Sequence, residues 1–372
     1  MDAKALAEQR LDRLMKAVRH EKPDRTPLSL NGSIAFMKYA GSQKTVADFC
    51  NDPVAAAREA YPIIAERLPN IDMADGFGMY PPTMGLAWWC DILIPGRELG
   101  VNDLWQLDEK YFMTRDDYDV ILDKGWDWYT NDVIFNRLGI TPELLEKAGQ
   151  IGMEVGQITA DYGYPNWGAG TMNQSVIDKL TSGRGTVGFF RDIREIPDKL
   201  KAVIEVMLET ELGHMKEGLK NAKPGTVGMC APAIRCTCDY VSEAVFEEFI
   251  WPTMYKPADL MLEAGLYVFF HNDSNWNDFL HFYTHFPKKR CIYDSDGQTD
   301  IYKIKELLGD SMCITGNVSP SMLSLGTPDE VYAFCRQQIE DMGDAYILSG
   351  SCSLPPNTKP ENLDAMNAAV AG

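Results

Sequence analysis

Eight short apolar runs alternate with longer segments of helical pattern, and this alternation constrains the fold more than any other feature of the chain. Near-continuous apolar strands separated by helices are typical of a parallel sheet whose outer face is covered. Eight such units predict an α/β fold of the (β/α)8 TIM-barrel type, closed rather than open. The runs are Thr26–Leu30, Ile71–Ala74, Val155–Ala160, Thr226–Cys230, Leu266–Phe270, Cys291–Tyr293, Met312–Thr315 and Tyr346–Leu348.

The segments between the runs carry helix signals. Helices are predicted over Val54–Leu68, Pro197–Lys220, Ser242–Ala264 and Asp329–Met342, the last capped by Thr327 before Pro328. Residues 1–21 predict an N-terminal helix that Pro23 stops. We therefore expect one barrel domain over residues 1–372.

The connection between the second and third runs is unusually long. Residues 76–153 contain five tryptophans: Trp88, Trp89, Trp105, Trp126 and Trp128. An insertion after a barrel strand lies at the carboxyl-terminal mouth, so we expect this aromatic-rich segment to form part of the active-site wall. Extra packing helices with buried aromatic side chains are the alternative.

Composition excludes several classes of partner. The net charge is −19, from 35 basic and 54 acidic residues, so the field of the chain repels nucleic acid and anionic membrane surfaces. No stretch of eighteen apolar residues predicts a membrane span. The nine cysteines are scattered and odd in number, which favours reduced thiols and a cytoplasmic location. The sequence leaves a homodimer open.

Residues that directly follow barrel strands point into the mouth, where barrel enzymes carry their chemistry. Here that set is rich in carboxylates, with one imidazole and one thiol: Asn31, Asp75, Asp239, His271, Asp273, Asp294, Asp296, Asn317 and Cys352. Grouped anionic side chains need a cation or a proton between them. His271, Asp273 and Cys352 form a set that suits zinc, with a fourth position open for chemistry.

Each of these residues also has a structural interpretation. A histidine like His271, taken alone, is more often a hydrogen-bonded loop residue, and a cysteine like Cys352 is more often a small buried apolar side chain. Asp294 and Asp296 could be helix caps.

Several motifs resemble the uroporphyrinogen decarboxylase superfamily. The opening Lys22-Pro23-Asp24-Arg25-Thr26-Pro27 does so, and so do Thr315-Gly316-Asn317-Val318-Ser319-Pro320, Leu325-Gly326-Thr327-Pro328 and Pro360-Glu361-Asn362. The resemblance covers nearly the whole chain and itself implies a (β/α)8 barrel.

The resemblance has two branches. The decarboxylase branch binds a polyanionic porphyrinogen through arginines after the first strand, whereas this chain has Asn31-Gly32-Ser33-Ile34-Ala35-Phe36 there. Asp91 does resemble the key aspartate region of that branch. The other branch contains corrinoid-linked methyltransferases, whose thiol-specific members carry a His-x-Cys plus a later Cys as zinc ligands. His271 and Cys352 match that pattern, but Asp273 replaces the middle cysteine and makes the site harder.

The closest resemblance is to the first methyltransferase of anaerobic O-demethylase systems, carried by Ile94-Pro95-Gly96-Arg97-Glu98-Leu99 and His271-Asn272-Asp273-Ser274-Asn275-Trp276. It implies transfer of a methyl group from a methoxyarene to the Co(I) corrinoid of a separate carrier protein, because this chain lacks an Asp-x-His-x-x-Gly corrinoid motif. A methylamine or betaine donor, a decarboxylase-type lyase and a binding barrel without chemistry are the alternatives.

The candidate residues then fall into three roles. His271, Asp273, Asp91 and Asp239 are candidate catalytic residues, with polarisation of the ether oxygen by a metal or by a protonated side chain. Candidate substrate-binding residues are Asn31, Asp75, Trp89, Trp167, Trp276 and Asn317. Candidate metal ligands are His271, Asp273 and Cys352.

Overall fold

The computed structural model describes residues 2–108, 111–232 and 234–372, with residues 169–174 as backbone alone. Its strands are β1 Leu28–Asn31, β2 Met73–Asp75, β3 Asp91–Leu93, β4 Gln106–Asp108, β5 Gly168–Gln174, β6 Val227–Ala231, β7 Tyr267–Asn272, β8 Cys291–Ser295, β9 Met312–Val318 and β10 Tyr346–Gly350.

Helices occupy most of the remaining chain. The α-helices are α1 Ala3–Val18, α2 Ser33–Tyr39, α3 Val46–Asn51, α4 Pro53–Arg67, α5 Gly85–Trp88, α6 Arg115–Lys124, α7 Trp126–Asp132, α8 Pro142–Asp161, α9 Val176–Arg184, α10 Thr186–Glu195, α11 Pro197–Leu219, α12 Glu243–Val245, α13 Trp251–Glu263, α14 Ile301–Leu308, α15 Pro320–Leu325, α16 Pro328–Met342 and α17 Pro360–Ala369. Short 3-10 helices span Pro81–Thr83 and Leu280–His285, and π-helical turns span Val133–Arg137 and Phe246–Ile250.

Eight parallel strands form one curled sheet in the order β2-β1-β10-β9-β8-β7-β6-β5, with helices outside it. This is the α/β architecture of a TIM-like barrel, as the alternation of apolar runs predicts. The described residues include no hydrogen-bonded ladder between β2 and β5, so the barrel is open along that seam. α16 begins as predicted, because Thr327 and Glu330 form a reciprocal capping box before Pro328.

One predicted strand is wrong. Residues 155–160 belong to α8 and not to a strand, and the third barrel strand is Gly168–Gln174. Ile151, Val155 and Ile158 are the buried residues of α8, and their spacing of four and three residues is that of one helix face. A short apolar run inside such a pattern cannot be told from a strand by hydrophobicity alone.

α1 covers the amino-terminal end of the barrel. Its buried residues Leu14, Met15, Ala17 and Val18 pack against one residue from each of four strands, namely Val227, Ile292, Cys313 and Ile347. Each larger apolar side chain buried in this way contributes about 1.5–3 kcal/mol. α1 therefore shuts the end of the barrel opposite the mouth.

A buried ion cluster fixes the opening segment below the barrel. Asp72 is fully buried, and its carboxylate pairs with Arg13 and with Arg25, whose Nη1 lies 2.8 Å from Oδ2. The backbone N–H of Leu28 donates to the same oxygen at 3.0 Å. Arg13 also forms a two-pronged pair with Asp24 at 2.6 and 2.7 Å. The motif from Lys22 to Pro27 is therefore structural here.

Residues between β2 and α8 form short elements whose buried side chains join the main hydrophobic core. β3 and β4 pair antiparallel, with Asp91 opposite Asp108. Trp89 and Trp126 are both buried and stack at 4.8 Å between ring centroids.

No helix in the described part of the chain combines the length and apolar character that a membrane span needs.

Candidate active site

Strand β7 presents one face to the barrel interior and the other to the surrounding helices. Val268, Phe270 and Asn272 are buried on the outer face, where Phe270 packs on Phe286 with ring centroids 4.7 Å apart. Phe269 and His271 alternate with them and line the interior cavity. The period of two therefore directs His271 inward at the carboxyl end of the strand.

Asp294 is the direct neighbour of His271 across the sheet. The two residues are in register between β7 and β8, and His271 Nδ1 lies 2.6 Å from Asp294 Oδ2. Burial alone lowers the pKa of His271, but the hydrogen bonds with Asp294 and Cys352 outweigh it and raise that pKa to about 11. Burial also raises the pKa of Asp294, which His271 opposes. The imidazole thus carries a proton on Nδ1 and turns Nε2 toward the mouth.

Two further groups face Nε2 of His271. Cys352 Sγ, from the loop after β10, lies 3.4 Å away, and Asp273 Oδ1 lies 3.6 Å away. One ligand atom from each of His271, Asp273 and Cys352 falls within 4.8 Å of the others. Residues predicted from sequence to share a metal therefore converge in the fold.

The segment after β7 is held by the neighbouring β8 loop. Ser274 has a positive φ of 73°, and its backbone N–H donates to Asp296 Oδ2 at 2.8 Å. Thr299 Oγ1 donates to the Ser274 carbonyl at 3.0 Å and accepts from the Trp276 N–H at 2.9 Å. The Trp276 indole N–H then donates to the Asp273 carbonyl at 2.7 Å. These contacts fix the backbone that carries Asp273 at the end of β7.

The donor set fits a zinc ion. Oδ1 of Asp273 is buried without a hydrogen-bond partner, although an unpaired buried acceptor costs free energy. Histidine ligands of metals almost always donate their other ring N–H to a carboxylate, which is the arrangement of His271 with Asp294. His271 Nε2, Asp273 Oδ1 and Cys352 Sγ would hold the ion, and three protein ligands leave a fourth position open.

Asp294→Asn is expected to change how zinc affinity depends on pH. A ligand must lose its proton to bind metal, so we expect the zinc affinity of the wild type to rise with pH throughout the range below the raised pKa of His271. Without the Asp294 carboxylate the pKa of His271 falls toward its ordinary value. His271 is then largely unprotonated at neutral pH, so zinc binding releases one proton fewer. We expect the slope of log affinity between pH 7 and 9 to fall by about one, or tenfold per pH unit, in a competition titration with a chromogenic chelator. Equal slopes for both proteins would show that Asp294 does not control the protonation of His271.

A cavity of about 540 Å³ extends from this cluster into the barrel. Its apolar walls include Met73, Trp167, Val227, Met229, Phe269 and Ile347, and its polar groups include Asn31, Asp75, His271, Asp294, Thr315 and Cys352. Ligand pockets commonly combine such apolar walls with a few convergent polar groups. Arg and Lys side chains are absent from the described residues that line it.

The structure brings Asn31, Asp75 and Trp167 to the cavity together with His271 and Cys352. Trp167 precedes β5 and therefore lies deep in the barrel, edge-on to Phe269 at 6.1 Å. The other candidates lie elsewhere. Trp89 is buried against Trp126, and Asp91 lies in the β3–β4 pair. Trp276 is buried and donates its indole N–H to the Asp273 carbonyl. Asp239 accepts a hydrogen bond from Asn275 at 2.9 Å, and the half-buried Asn317 lies on β9. Residues 76–153 contribute nothing to the lining among the described residues.

Asp178 is a residue that sequence reasoning missed. It lies in the first turn of α9, directly after β5, and its Oδ1 is buried without a hydrogen-bond partner. Burial raises its pKa to about 8, against the charge of Arg235, and the charge of Asp273 acts in the same direction as burial. A correctly placed third strand would have identified Asp178 as a mouth residue.

Comparison with known proteins identifies the class. Residues 175–372 match the family described as uroporphyrinogen decarboxylase (URO-D), which is more than half of the 372-residue chain. The chain therefore belongs to the uroporphyrinogen decarboxylase family, and the predicted superfamily is confirmed. Its fold is similar to that of a methyltransferase from Methanosarcina mazei, with a TM-score of 0.65 at 16% identity over 96% of this chain and 97% of that one. None of the curated proteins is similar enough in sequence to count as a match.

Proposed function

We propose that this chain is a methyltransferase that takes the methyl group of a methoxyarene and passes it to the Co(I) corrinoid of a separate carrier protein. The observation that carries the proposal is the cluster of His271, Asp273 and Cys352 at the top of an apolar cavity. An oxygen ligand in place of a second thiolate makes this donor set hard, which favours an oxygen-linked methyl donor over a thiol acceptor.

The reaction needs a nucleophile and an activated leaving oxygen. The Co(I) corrinoid of the carrier protein, as the acceptor substrate, attacks the methyl carbon, the methyl C–O bond breaks, and its electron pair leaves on the phenolate oxygen, which keeps its bond to the ring. When bound, zinc supplies Lewis-acid polarisation of that oxygen.

The residues of this chain orient the ring and manage the proton. Trp167 and Phe269 give the ring an apolar wall, and α1 covers the end of the barrel opposite the mouth. Asp294 holds the imidazole of His271 so that Nε2 faces the mouth beside Cys352, where it can meet the oxygen of a substrate. Without metal, a proton held on His271 could be delivered to the leaving oxygen.

Charge in the cavity bears on the rival substrates. Asp75 and Asp294 line it, and no Arg or Lys does so among the described residues, so a porphyrinogen with many carboxylates would lack cationic partners. A neutral methoxyphenol avoids this cost. A quaternary ammonium would gain from the same acidic groups and from the aromatic walls, so it stays the second candidate.

An assay with parallel donors tests the proposal. Purified protein is supplied with free Co(I) cobalamin and with 2-methoxyphenol, trimethylamine, glycine betaine or uroporphyrinogen, and methylcobalamin is followed by absorbance. We expect methylcobalamin with 2-methoxyphenol only. Methylation from betaine or trimethylamine instead would transfer the proposal to the second candidate, and decarboxylation of uroporphyrinogen would contradict it.

A further inference from the structure

The side wall of the cavity includes a surface of helix α8 whose side chains are small or absent. Gly156, Thr159 and Ala160 of α8 line the cavity alongside residues of β1 and β2. Gly156 and Ala160 are at the same time exposed to solvent, and so is their neighbour in the lining, Asn166. The cavity therefore reaches the protein surface at α8, separately from the mouth at Cys352.

The sheet topology explains why an opening lies there. β2 and β5 are the two ends of the sheet order, so α8 stands beside a seam that backbone hydrogen bonds do not close. α8 buries its opposite face, with Ile151, Val155 and Ile158, where it packs on α4. A Cβ added at Gly156 would meet no other atom within 4 Å. The glycine thus leaves open space at the edge of the cavity.

The cavity is larger than one methoxyphenol ring requires. Its 540 Å³ falls within the range of about 300–1,000 Å³ that is usual for drug-sized ligands, whereas 2-methoxyphenol is a single ring with two small substituents. A ring whose methoxy group lies at His271 leaves volume beyond it, toward Trp167 and α8. The groups there are mainly apolar, and Asp75 disfavours an anion, so the extra volume suits an uncharged alkyl chain.

We propose that the opening beside α8 admits the ring substituent remote from the reacting methyl group, and that Gly156 sets how large that substituent can be. The preferred substrates are then methoxyphenols with a neutral alkyl chain para to the hydroxyl. This inference rests on the proposed function for its choice of substrate, but the opening itself does not depend on that function.

Two leucine variants on the same helix test the inference. Gly156→Leu places a branched side chain in the opening. Gly152→Leu, one turn earlier, adds the same side chain at an exposed position that does not line the cavity and where a Cβ also meets no atom within 4 Å. Leucine has a higher helix propensity than glycine, so neither variant is expected to unfold.

Binding of two matched phenols gives the first readout, by quenching of tryptophan fluorescence. For 4-propyl-2-methoxyphenol we expect Gly156→Leu to raise Kd by about tenfold or more, as exclusion of a few methylenes does. For 2-methoxyphenol the same variant stays within about twofold, and Gly152→Leu leaves both values unchanged. An unchanged Kd for the propyl compound, or equal weakening of both phenols, would overturn the inference.

A neutral probe unrelated to the reaction separates this inference from the proposed function. N-phenyl-1-naphthylamine fluoresces when it enters an apolar cavity, and we expect Gly156→Leu, but not Gly152→Leu, to weaken its binding. Selective loss of probe binding with no methoxyphenol bound to any variant would support the opening and contradict the proposed function. If Gly156→Leu demethylated methoxyphenol and still bound the probe and 4-propyl-2-methoxyphenol as the wild type does, the proposed function would be supported and the opening contradicted.

Discussion

His271→Ala is expected to lower methyl transfer from 2-methoxyphenol by about 10²–10⁴-fold, the range typical of a lost acid–base group. The variant loses one of the three converging ligand atoms and the group that Asp294 orients. Zinc content should fall with activity, because two remaining protein ligands hold the ion poorly. Initial rates of methylcobalamin formation and elemental analysis of the purified proteins measure the two effects.

His214→Ala is the matched control. His214 lies on α11, is largely exposed, and pairs with Asp127 at 3.3 Å on the surface. It should retain wild-type activity and zinc content. Full activity of His271→Ala would contradict both a metal-binding role and an acid role for this residue.

The second large effect concerns stability. Asp72→Ala is expected to reduce the free energy of unfolding by about 3–5 kcal/mol, because it leaves Arg13 and Arg25 without their buried partner. The Leu28 N–H, which starts β1, loses its acceptor in the same step. Urea denaturation followed by circular dichroism measures the change as a lower midpoint.

Asp12→Ala controls for loss of a carboxylate in the same region. Asp12 pairs with Lys16 at 2.8 Å across one turn of α1, and both side chains are substantially exposed. A surface pair of this kind contributes about 0–1 kcal/mol. A midpoint for Asp72→Ala as high as that of Asp12→Ala would mean that the buried cluster does not stabilise the barrel.

The strands that could be predicted are those with a continuous apolar core. β7 and β8 are recognisable because Val268 and Phe270, like Ile292 and Tyr293, are bulky and bounded by polar residues. β5 has the sequence GAGTMNQ, with two glycines and one β-branched residue, and carries almost no strand signal. Its pairing with β6 supplies what local propensity does not.

The candidate site was predictable where it depended on strand ends alone. His271 lies at the carboxyl end of β7, Asp273 directly follows that strand, and Cys352 follows β10, so a barrel brings them to one mouth. The pairing of His271 with Asp294 depends on register, which a single sequence does not reveal. Trp167 lines the cavity, whereas Trp89 and Trp276 are buried. The sequence alone could not distinguish these positions, because an indole is equally suited to a cavity wall and to a buried core.

Asp273 links the structure most closely to the chemistry. Its backbone carbonyl accepts from the Trp276 indole N–H, and its carboxylate faces His271 with Oδ1 buried and without a hydrogen-bond partner. An oxygen ligand at this position is what directs the proposal to a methyl group bound to oxygen.

Transfer of an isotopic label tests that claim most directly. Purified protein is incubated with Co(I) cobalamin and 2-methoxyphenol carrying a ¹³C methyl group, and the cobalamin is analysed by mass spectrometry. We expect ¹³C-methylcobalamin and free catechol in equal amounts. Unlabelled cobalamin with intact 2-methoxyphenol, under conditions in which the protein is folded and holds zinc, would contradict it.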